Sequence, residues 1–481
     1  MKKWNNYIDG GWQPAIDGET ISNIGPADGQ VLGKIPRSKQ ADVDCAVSAA
    51  SRALKGQWSC VSRAQRADYL DAIACGIEDR LVEFAETESM DQGKPISLAK
   101  SIDIPRAVAN FRFFAGLLRH HTDAAQPMDD ALNYTHRKPV GVIGLITPWN
   151  LPLYLLSWKT APALAMGNAV VAKPSEMTPL TATLLAEVIH QAGLPKGVFN
   201  LVHGLGPEVG HAIVAHPDTR AISFTGGTAT GRIVAATAAP LFKKISLELG
   251  GKNPTIIFAD CDIDKAVDGA VRAAFTNQGE ICLCGSRILI EDAIYAQFMH
   301  QFTEKVNQLK VGNPKDPSTG VGALVSAAHR DKVASYIALG KKEGGRVLCG
   351  GDVPNLPPSL KGGNYLMPTV IDGLPSDSRT ATEEIFGPVV TTHKFTTEAE
   401  CLMMANEVEY GLAASVWTRD IQRAHRVSHA LDTGMVWINC WLKRDLRAPF
   451  GGMKHSGVGR EGGKWSLEFY SEARNICVAY S

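Results

Sequence analysis

Residues 169–204 read "AVVAKPSEMTPLTATLLAEVIHQAGLPKGVFNLVHG", and the alternation inside this stretch decides the fold class. Ala169 to Ala172 is a short apolar run closed by Lys173 and Pro174, too brief for a helix, and reads as a buried strand. Thr178 is placed to cap a helix and Pro179 to occupy its first turn, where a missing N–H is harmless. "LTATLLAEVIHQAG" then reads as a helix that stops at Gly193, and "GVFNLVHG" as the next strand. The pattern repeats downstream. "AISFTGG" leads into "TATGRIVAATAA", "KKISLELGG" follows, and "PTIIFAD" precedes the helix "DIDKAVDGAVRAAF". Strands separated by helices of this length imply parallel pairing with right-handed crossovers. The expectation is an α/β protein.

Upstream, "PVGVIGLITPWNLPLYLLSW" runs without a charge between Lys138 and Lys159, about the length that crosses a bilayer. Pro148, Asn150 and Pro152 fall in its middle, where a spanning helix needs every backbone group satisfied. A buried strand from Val140 to Ile146, an irregular loop and a helix fit better. "CGGDVPNLPPSLKGGNY" (349–365) reads as a surface loop. The β-prone tail "RNICVAYS" is expected to pair with another chain.

With 481 residues, 45% of them hydrophobic, the chain can fill two or three domains. Its 49 basic residues balance 49 acidic ones, which leaves no basic field for nucleic acid and no acidic tail. The ten cysteines are mostly scattered singly, and no apolar run follows "MKKWNNYIDGGW". These features predict no signal peptide and a reduced, cytoplasmic setting.

Several motifs could carry chemistry. "GLGPEVG" (204–210) imitates a dinucleotide fingerprint with the wrong spacing, and an ordinary strand-to-helix turn explains it better. "FTGGTATG" is stronger, because Gly226, Gly227 and Thr228 open a helix whose free amides and dipole attract phosphate. "AVVAKPSE" puts Lys173 and Glu176 at the carboxyl end of a strand, where parallel sheets bind ligands. A carboxylate there can accept ribose hydroxyls and would repel a 2′-phosphate. In "NQGEICLC", Cys282 and Cys284 are too close for the usual CxxC metal or redox turn, and no further ligand follows nearby, so no metal is expected. A buried inert thiol is the default for cysteine, but "NQGEIC" leaves a helix through polar and glycine residues and puts Cys282 on a loop, which favours a nucleophile. A free thiol is only a few per cent ionised at neutral pH and needs a base or a positive dipole. Glu248 in "SLELGG", beside two glycines, is a candidate.

The combination resembles the NAD(P)-dependent aldehyde dehydrogenase superfamily over nearly the whole chain. The matching stretches are "TPWNLP", "WKTAPALAMGN", "AKPSE", "FTGGTATG", "LELGGKNP", "NQGEIC", "EEIFGPV", "YGLAASVWT" and "PFGGMKHSGVGREGG". The resemblance implies two parallel-sheet α/β domains and a small β oligomerisation arm. It assigns 1–118 and 139–250 to NAD binding, 251–465 to catalysis, and 119–138 with 466–481 to the arm of a homodimer or homotetramer. It makes Cys282 the nucleophile, Asn150 and the Cys282 N–H the oxyanion donors, and Glu248 the base that activates water on the thioester. Lys173, Ser175 and Glu176 fall at the adenosine side of the cofactor, Gly227 near its pyrophosphate, and Gly206 and Gly226 among its further contacts, although "GLGPEVG" matches no main phosphate site of the family. Phe224, Thr225, Trp149 and Leu249 are further cofactor contacts, while Glu384 and Phe386 flank the nicotinamide ribose. Glu176 favours NAD over NADP. Two positions depart from the common pattern: Gly227 stands where Ser is frequent, and Glu280 where Gln is. A carboxylate close to Cys282 would raise its pKa.

"SIDIPRAVANFRFFAG", "ALNYTHRKPVGVIG", "NCWLKRDLRAPFGG" and "SLEFYSEARNICV" resemble the muconic semialdehyde dehydrogenases, which act on 2-aminomuconate or 2-hydroxymuconate semialdehyde. Such substrates carry a carboxylate remote from the aldehyde, which a guanidinium suits. Arg112 and Arg444 are the expected partners, Arg447 is the reserve, and Phe450 lies in the same site. A betaine aldehyde dehydrogenase is the alternative, and arginines in the pocket disfavour its cationic substrate. Retention of Glu248 points to water rather than coenzyme A as acyl acceptor. Retention of Cys282, Asn150 and Glu248 argues against an inactive binding homologue.

Overall fold

In the computed structural model, which describes residues 1–480, the stretch 169–204 folds as strand Ala169–Lys173, helix Leu180–Gln191 and strand Phe199–Leu201. Every residue of the first strand is buried, and a strand covered on both faces shows a continuous apolar run instead of alternation. The helix breaks at Gly193, whose φ of +74° is open to glycine at little cost. Thr178 does not cap it. Its hydroxyl donates to the Trp149 carbonyl, and Asp91 Oδ2 accepts from Leu180 N at 2.8 Å. A carboxylate from the neighbouring helix Leu81–Gln92 has taken over the local cap.

Two sheets organise the chain. The first has the order Gly11–Gln13, Asn6–Ile8, Phe199–Leu201, Ala169–Lys173, Val142–Ile146, Thr219–Thr225, Lys244–Glu248 and Gly457–Val458. Its five central strands run parallel, and the outer pairings are antiparallel. The second runs Arg346–Cys349, Thr369–Asp372, Val389–Phe395, Arg287–Glu291, Pro254–Ile257, Ala413–Trp417 and Met435–Ile438, parallel except at its first pair. The chain passes between sheets just after Glu248. One late segment crosses back: Gly457–Val458 pairs with Leu247 and Glu248, so residues expected in the second unit complete the first sheet.

Strands Ala125–Pro127, Ala131–Pro139 and Ser471–Ala479 form a separate three-stranded sheet. The tail therefore pairs within its own chain, Ser471 opposite Pro139 through to Ala479 opposite Ala131. Ser481, the last residue of the expected arm, lies outside the described residues. The uncharged stretch becomes strand Val142–Ile146 and helix Pro152–Ala165, and among the described residues no helix is long and apolar enough to cross a membrane. Residues 349–365 are mostly irregular.

Candidate active site

A cleft of about 500 Å³ opens at the carboxyl ends of the strands Val142–Ile146, Ala169–Lys173 and Thr219–Thr225. Trp149, Lys173, Ser175, Glu176, Gly206, Phe224, Thr225, Gly226 and Gly227 all line it. Lys173 is buried and pairs with Glu176 at 2.7 Å. Gly227 is the N-cap of helix Thr228–Ala238, and a Cβ added at Gly227 or Gly206 would meet nothing within 4 Å. These glycines floor open space beside free helix amides, as an anionic ligand requires. The buried hydroxyls of Thr147 and Thr225, also on the cleft wall, have no hydrogen-bond partner among the described residues. Residues of "GLGPEVG" supply one side of the cleft through Gly206, Pro207 and Gly210.

The cleft continues into a cavity of about 260 Å³ lined by Trp149, Asn150, Gly227, Leu249, Cys282, His329, Glu384 and Phe386. The Trp149 ring meets Phe386 edge-on at 5.3 Å and His329 at 5.0 Å. Glu384 Oε1 accepts from Gly251 N at 2.8 Å. His329 carries no motif in the sequence; it reaches the site only because the helix Ala327–Lys342, capped by Ser326, points its first turn there. Burial pushes its pKa down to about 4, so the neutral ring donates from Nε2 to the Phe386 carbonyl at 2.7 Å.

Cys282 follows helix Ile263–Phe275 through three left-handed residues, Asn277, Gln278 and Gly279, with φ of +55°, +57° and +71°. Each non-glycine residue so placed costs about 1–3 kcal/mol, and such strain persists only where surroundings impose it. Here they do. Gln278 Nε2 donates to the Ala323 carbonyl, Asn277 Nδ2 donates to the Asn150 carbonyl, and a Cβ at Gly279 would collide with Gly387 O at 2.2 Å. The Asn253 side chain donates to both the Cys282 and Cys284 carbonyls, at 2.7 and 2.8 Å. The turn separates the two thiols: Cys282 borders the cavities, whereas Cys284 is buried in the apolar core. Burial pushes the Cys282 thiol far up, Glu248 and Glu384 push it further, and Arg444 opposes them. Glu280 turns away from Cys282. Its carboxyl accepts from Gln92 Nε2 at 2.8 Å and Val325 N at 3.2 Å, and burial holds its pKa well above the usual range.

Asn150 Nδ2 donates to the Glu280 carbonyl at 2.9 Å and shares the cavity wall with Cys282. Glu248 ends strand Lys244–Glu248, and its buried Oε1 has no hydrogen-bond partner among the described residues. Burial and then Glu461 raise its pKa well above the ordinary value, while Lys159, Arg444 and Arg460 pull it back. The following glycines permit the crowding: a Cβ at Gly250 would lie 2.3 Å from Glu384 Oε2, and one at Gly251 2.7 Å from Cys282 O.

On the other side of Cys282 lies a narrow apolar cavity bordered by Tyr154, Leu155, Ile281, Arg444 and Phe450. Arg444 donates to Tyr154 Oη at 2.8 Å and stacks on Phe450 at 3.9 Å and Trp158 at 5.1 Å. Among the described residues no carboxylate pairs with it. Arg112 is not there. It lies exposed on helix Ile104–His120 and holds Glu78 with both terminal nitrogens. Arg447 is likewise exposed and paired with Asp445. Arg106, on the same helix, lies 5.7 Å from the Tyr154 ring centre without a carboxylate partner among the described residues, and it lines neither cavity at Cys282. Six residues along a helix amount to a rotation of about 240°, so Arg106 and Arg112 occupy different faces.

A ligand cleft at parallel strand ends, leading to a thiol beside an amide donor and a buried carboxyl, is the layout of a two-sheet α/β enzyme with a cofactor-sized site. The aldehyde dehydrogenase family model matches residues 12–476, and the chain belongs to that family. It is 51% identical over 479 residues to a 2-aminomuconic semialdehyde dehydrogenase of Danio rerio, covering 99% of this chain and 98% of the relative. A 2-hydroxymuconic semialdehyde dehydrogenase of Pseudomonas sp. (strain CF600) is 48% identical, with 99% and 100% covered. An NAD+ complex of an aldehyde dehydrogenase from Bacillus cereus superposes with a TM-score of 0.97 at 39% identity, covering 100% of this chain and 97% of the other.

Proposed function

We propose that this enzyme oxidises a muconic semialdehyde, 2-aminomuconate or 2-hydroxymuconate 6-semialdehyde, to the dicarboxylate with NAD. The observation that carries the substrate class is Arg444: a guanidinium without a carboxylate, held over Phe450 and Trp158, beside a cavity that ends at Cys282. A planar carboxylate remote from the aldehyde matches that fork, whereas a cationic aldehyde meets repulsion.

NAD bound in the long cleft would supply the hydride acceptor. Glu176, with Lys173, would take the adenosine ribose, the amides after Gly227 the pyrophosphate, and Glu384 the nicotinamide ribose. The unpartnered Thr147 and Thr225 hydroxyls and the open floor at Gly206 and Gly227 fit such a ligand. The Cys282 thiol gives up its proton to solvent, its sulfur bonds to the aldehyde carbon, and the resulting oxyanion receives hydrogen bonds from Asn150 Nδ2 and the Cys282 N–H. Loss of hydride from that carbon leaves a thioester. Glu248 then takes a proton from water, whose oxygen attacks the thioester, and the carboxylic acid departs as the thiol re-forms. Because burial and Glu461 favour the neutral acid of Glu248, hydrolysis accelerates as pH rises through its elevated pKa.

The enzyme works as a dimer or tetramer in a reducing cytoplasm. The edge strand Ser471–Ala479, with Val478 49% exposed, offers an uncovered ladder to a second copy, and all ten cysteines are free. NADH formation across aldehydes tests the substrate class. Muconic semialdehydes should have the highest kcat/KM, and preference for betaine aldehyde or a neutral aldehyde of similar length would overturn it.

A further inference from the structure

Lys94 is completely buried, yet it belongs to none of the cavities around Cys282. Helix Leu81–Gln92 ends at Gly93, whose φ is +91° and where a Cβ would meet Ala323 O at 2.5 Å. This turn sends Lys94 inward. Its ammonium donates to Asp103 Oδ2 at 2.5 Å and to the backbone carbonyl of Asn150 at 3.0 Å. Asp103 closes a π-helical segment, Ala99–Asp103, that opens the turn ahead of Pro105. Proline lacks the N–H that would continue the regular ladder, so the wider turn is the local response. Asp103 itself borders the apolar cavity that ends at Cys282.

The contact falls on the residue whose side chain faces the developing oxyanion. Asn150 lies between strand Val142–Ile146 and helix Pro152–Ala165, where neither ladder holds its carbonyl. Two side chains hold it instead, Lys94 from one helix end and Asn277 Nδ2, at 3.2 Å, from the strained turn before Cys282. With the backbone pinned, Nδ2 is aimed along the loop that carries Cys282, donating to Glu280 O at 2.9 Å. An ammonium serving only the core would satisfy itself on the nearby carboxylates. Here Glu88 Oε1 stays at 3.8 Å, beyond hydrogen-bonding range, and the Asn150 carbonyl takes the bond.

We propose that Lys94, anchored by Asp103, is a positioning residue that fixes the Asn150 backbone and so aims the oxyanion-stabilising amide. This rests on the reading of Asn150 as the oxyanion donor and adds the device that orients it. It acts through Asn150, so its effect must vanish when the Asn150 amide is absent.

The test is a double-mutant cycle on the full-length enzyme with NAD and a muconic semialdehyde. Lys94→Met should lower kcat about ten- to hundredfold, part of the loss expected for removing an oxyanion donor outright, with KM nearly unchanged. In an Asn150→Ala background the same substitution should cost less than about twofold, because coupled residues are not additive. Equal losses in both backgrounds would assign Lys94 a general structural role and overturn the proposal, as would full activity in a folded Lys94→Met enzyme. Should Lys94→Met fail to fold because Asp103 is left buried without its partner, Lys94→Met/Asp103→Asn replaces it in the cycle. Failure of both to fold would make the lysine a folding element and also overturn the proposal. The underlying reading fails separately, if Asn150→Ala alone keeps wild-type kcat.

Discussion

Replacing Arg444 by Met keeps an unbranched side chain over Phe450 and Trp158 and deletes the charge that faces the cavity beside Cys282. Two effects follow, and they separate by substrate. Arg444 lowers the pKa of both Cys282 and Glu248, so its removal slows turnover of every aldehyde by a common factor. Only a substrate with a distal carboxylate also loses a charge-assisted hydrogen bond, a contribution of about 1.5–3 kcal/mol. At about 1.36 kcal/mol per decade that is a further loss of about tenfold to a hundredfold in kcat/KM. The assay is initial-rate NADH formation with a muconic semialdehyde and with the same molecule esterified at the distal carboxylate. The ratio of the two kcat/KM values should fall by that factor. A fall of equal size for acid and ester would refute the carboxylate role of Arg444, whatever the absolute loss.

Glu248→Gln should still form the thioester but not hydrolyse it, giving a burst of NADH equivalent to the active sites; undiminished steady turnover would contradict the assignment. Because Glu461 raises the Glu248 pKa, Glu461→Gln should move the rising limb of the kcat–pH profile to lower pH, and a shift to higher pH would show the sign is wrong. Glu176→Gln should raise the NADP-to-NAD ratio of kcat/KM by removing a carboxylate that repels a 2′-phosphate; an unchanged ratio counts against that contact. Arg112→Ala should leave kcat/KM for muconic semialdehyde at its wild-type value, since Arg112 is exposed and paired with Glu78. A large rise in KM would restore Arg112 to the site.

Much of the architecture was legible because it rests on short-range rules. The run 169–172 is continuous and apolar, Gly193 ends its helix in the left-handed region, and the strand–helix alternation requires parallel pairing. The paired glycines after Glu248 announced close approach, and the structure puts Glu384 and the Cys282 carbonyl against them. Where the outcome depended on a distant partner, local reading failed. Thr178 looks like a cap, but Asp91 supplies the acceptor from another helix. The tail pairs on one side with residues 131–139 of its own chain, a partner no local pattern names, and leaves only its other edge uncovered.

Composition, spacing and family resemblance were enough to identify the fold class and the family and to nominate Cys282, Asn150 and Glu248, because all of these reside in contiguous motifs. Tertiary structure alone decided that Arg112 pairs with Glu78 away from the cavity, that His329 walls the cavity at Cys282, that Glu280 turns away from the thiol, and that Lys94 holds the Asn150 carbonyl. The reason is common to all four. Each depends on which face of an element is covered and by what, and that is set by packing between segments far apart in the chain, where no single-sequence periodicity distinguishes one polar position from another.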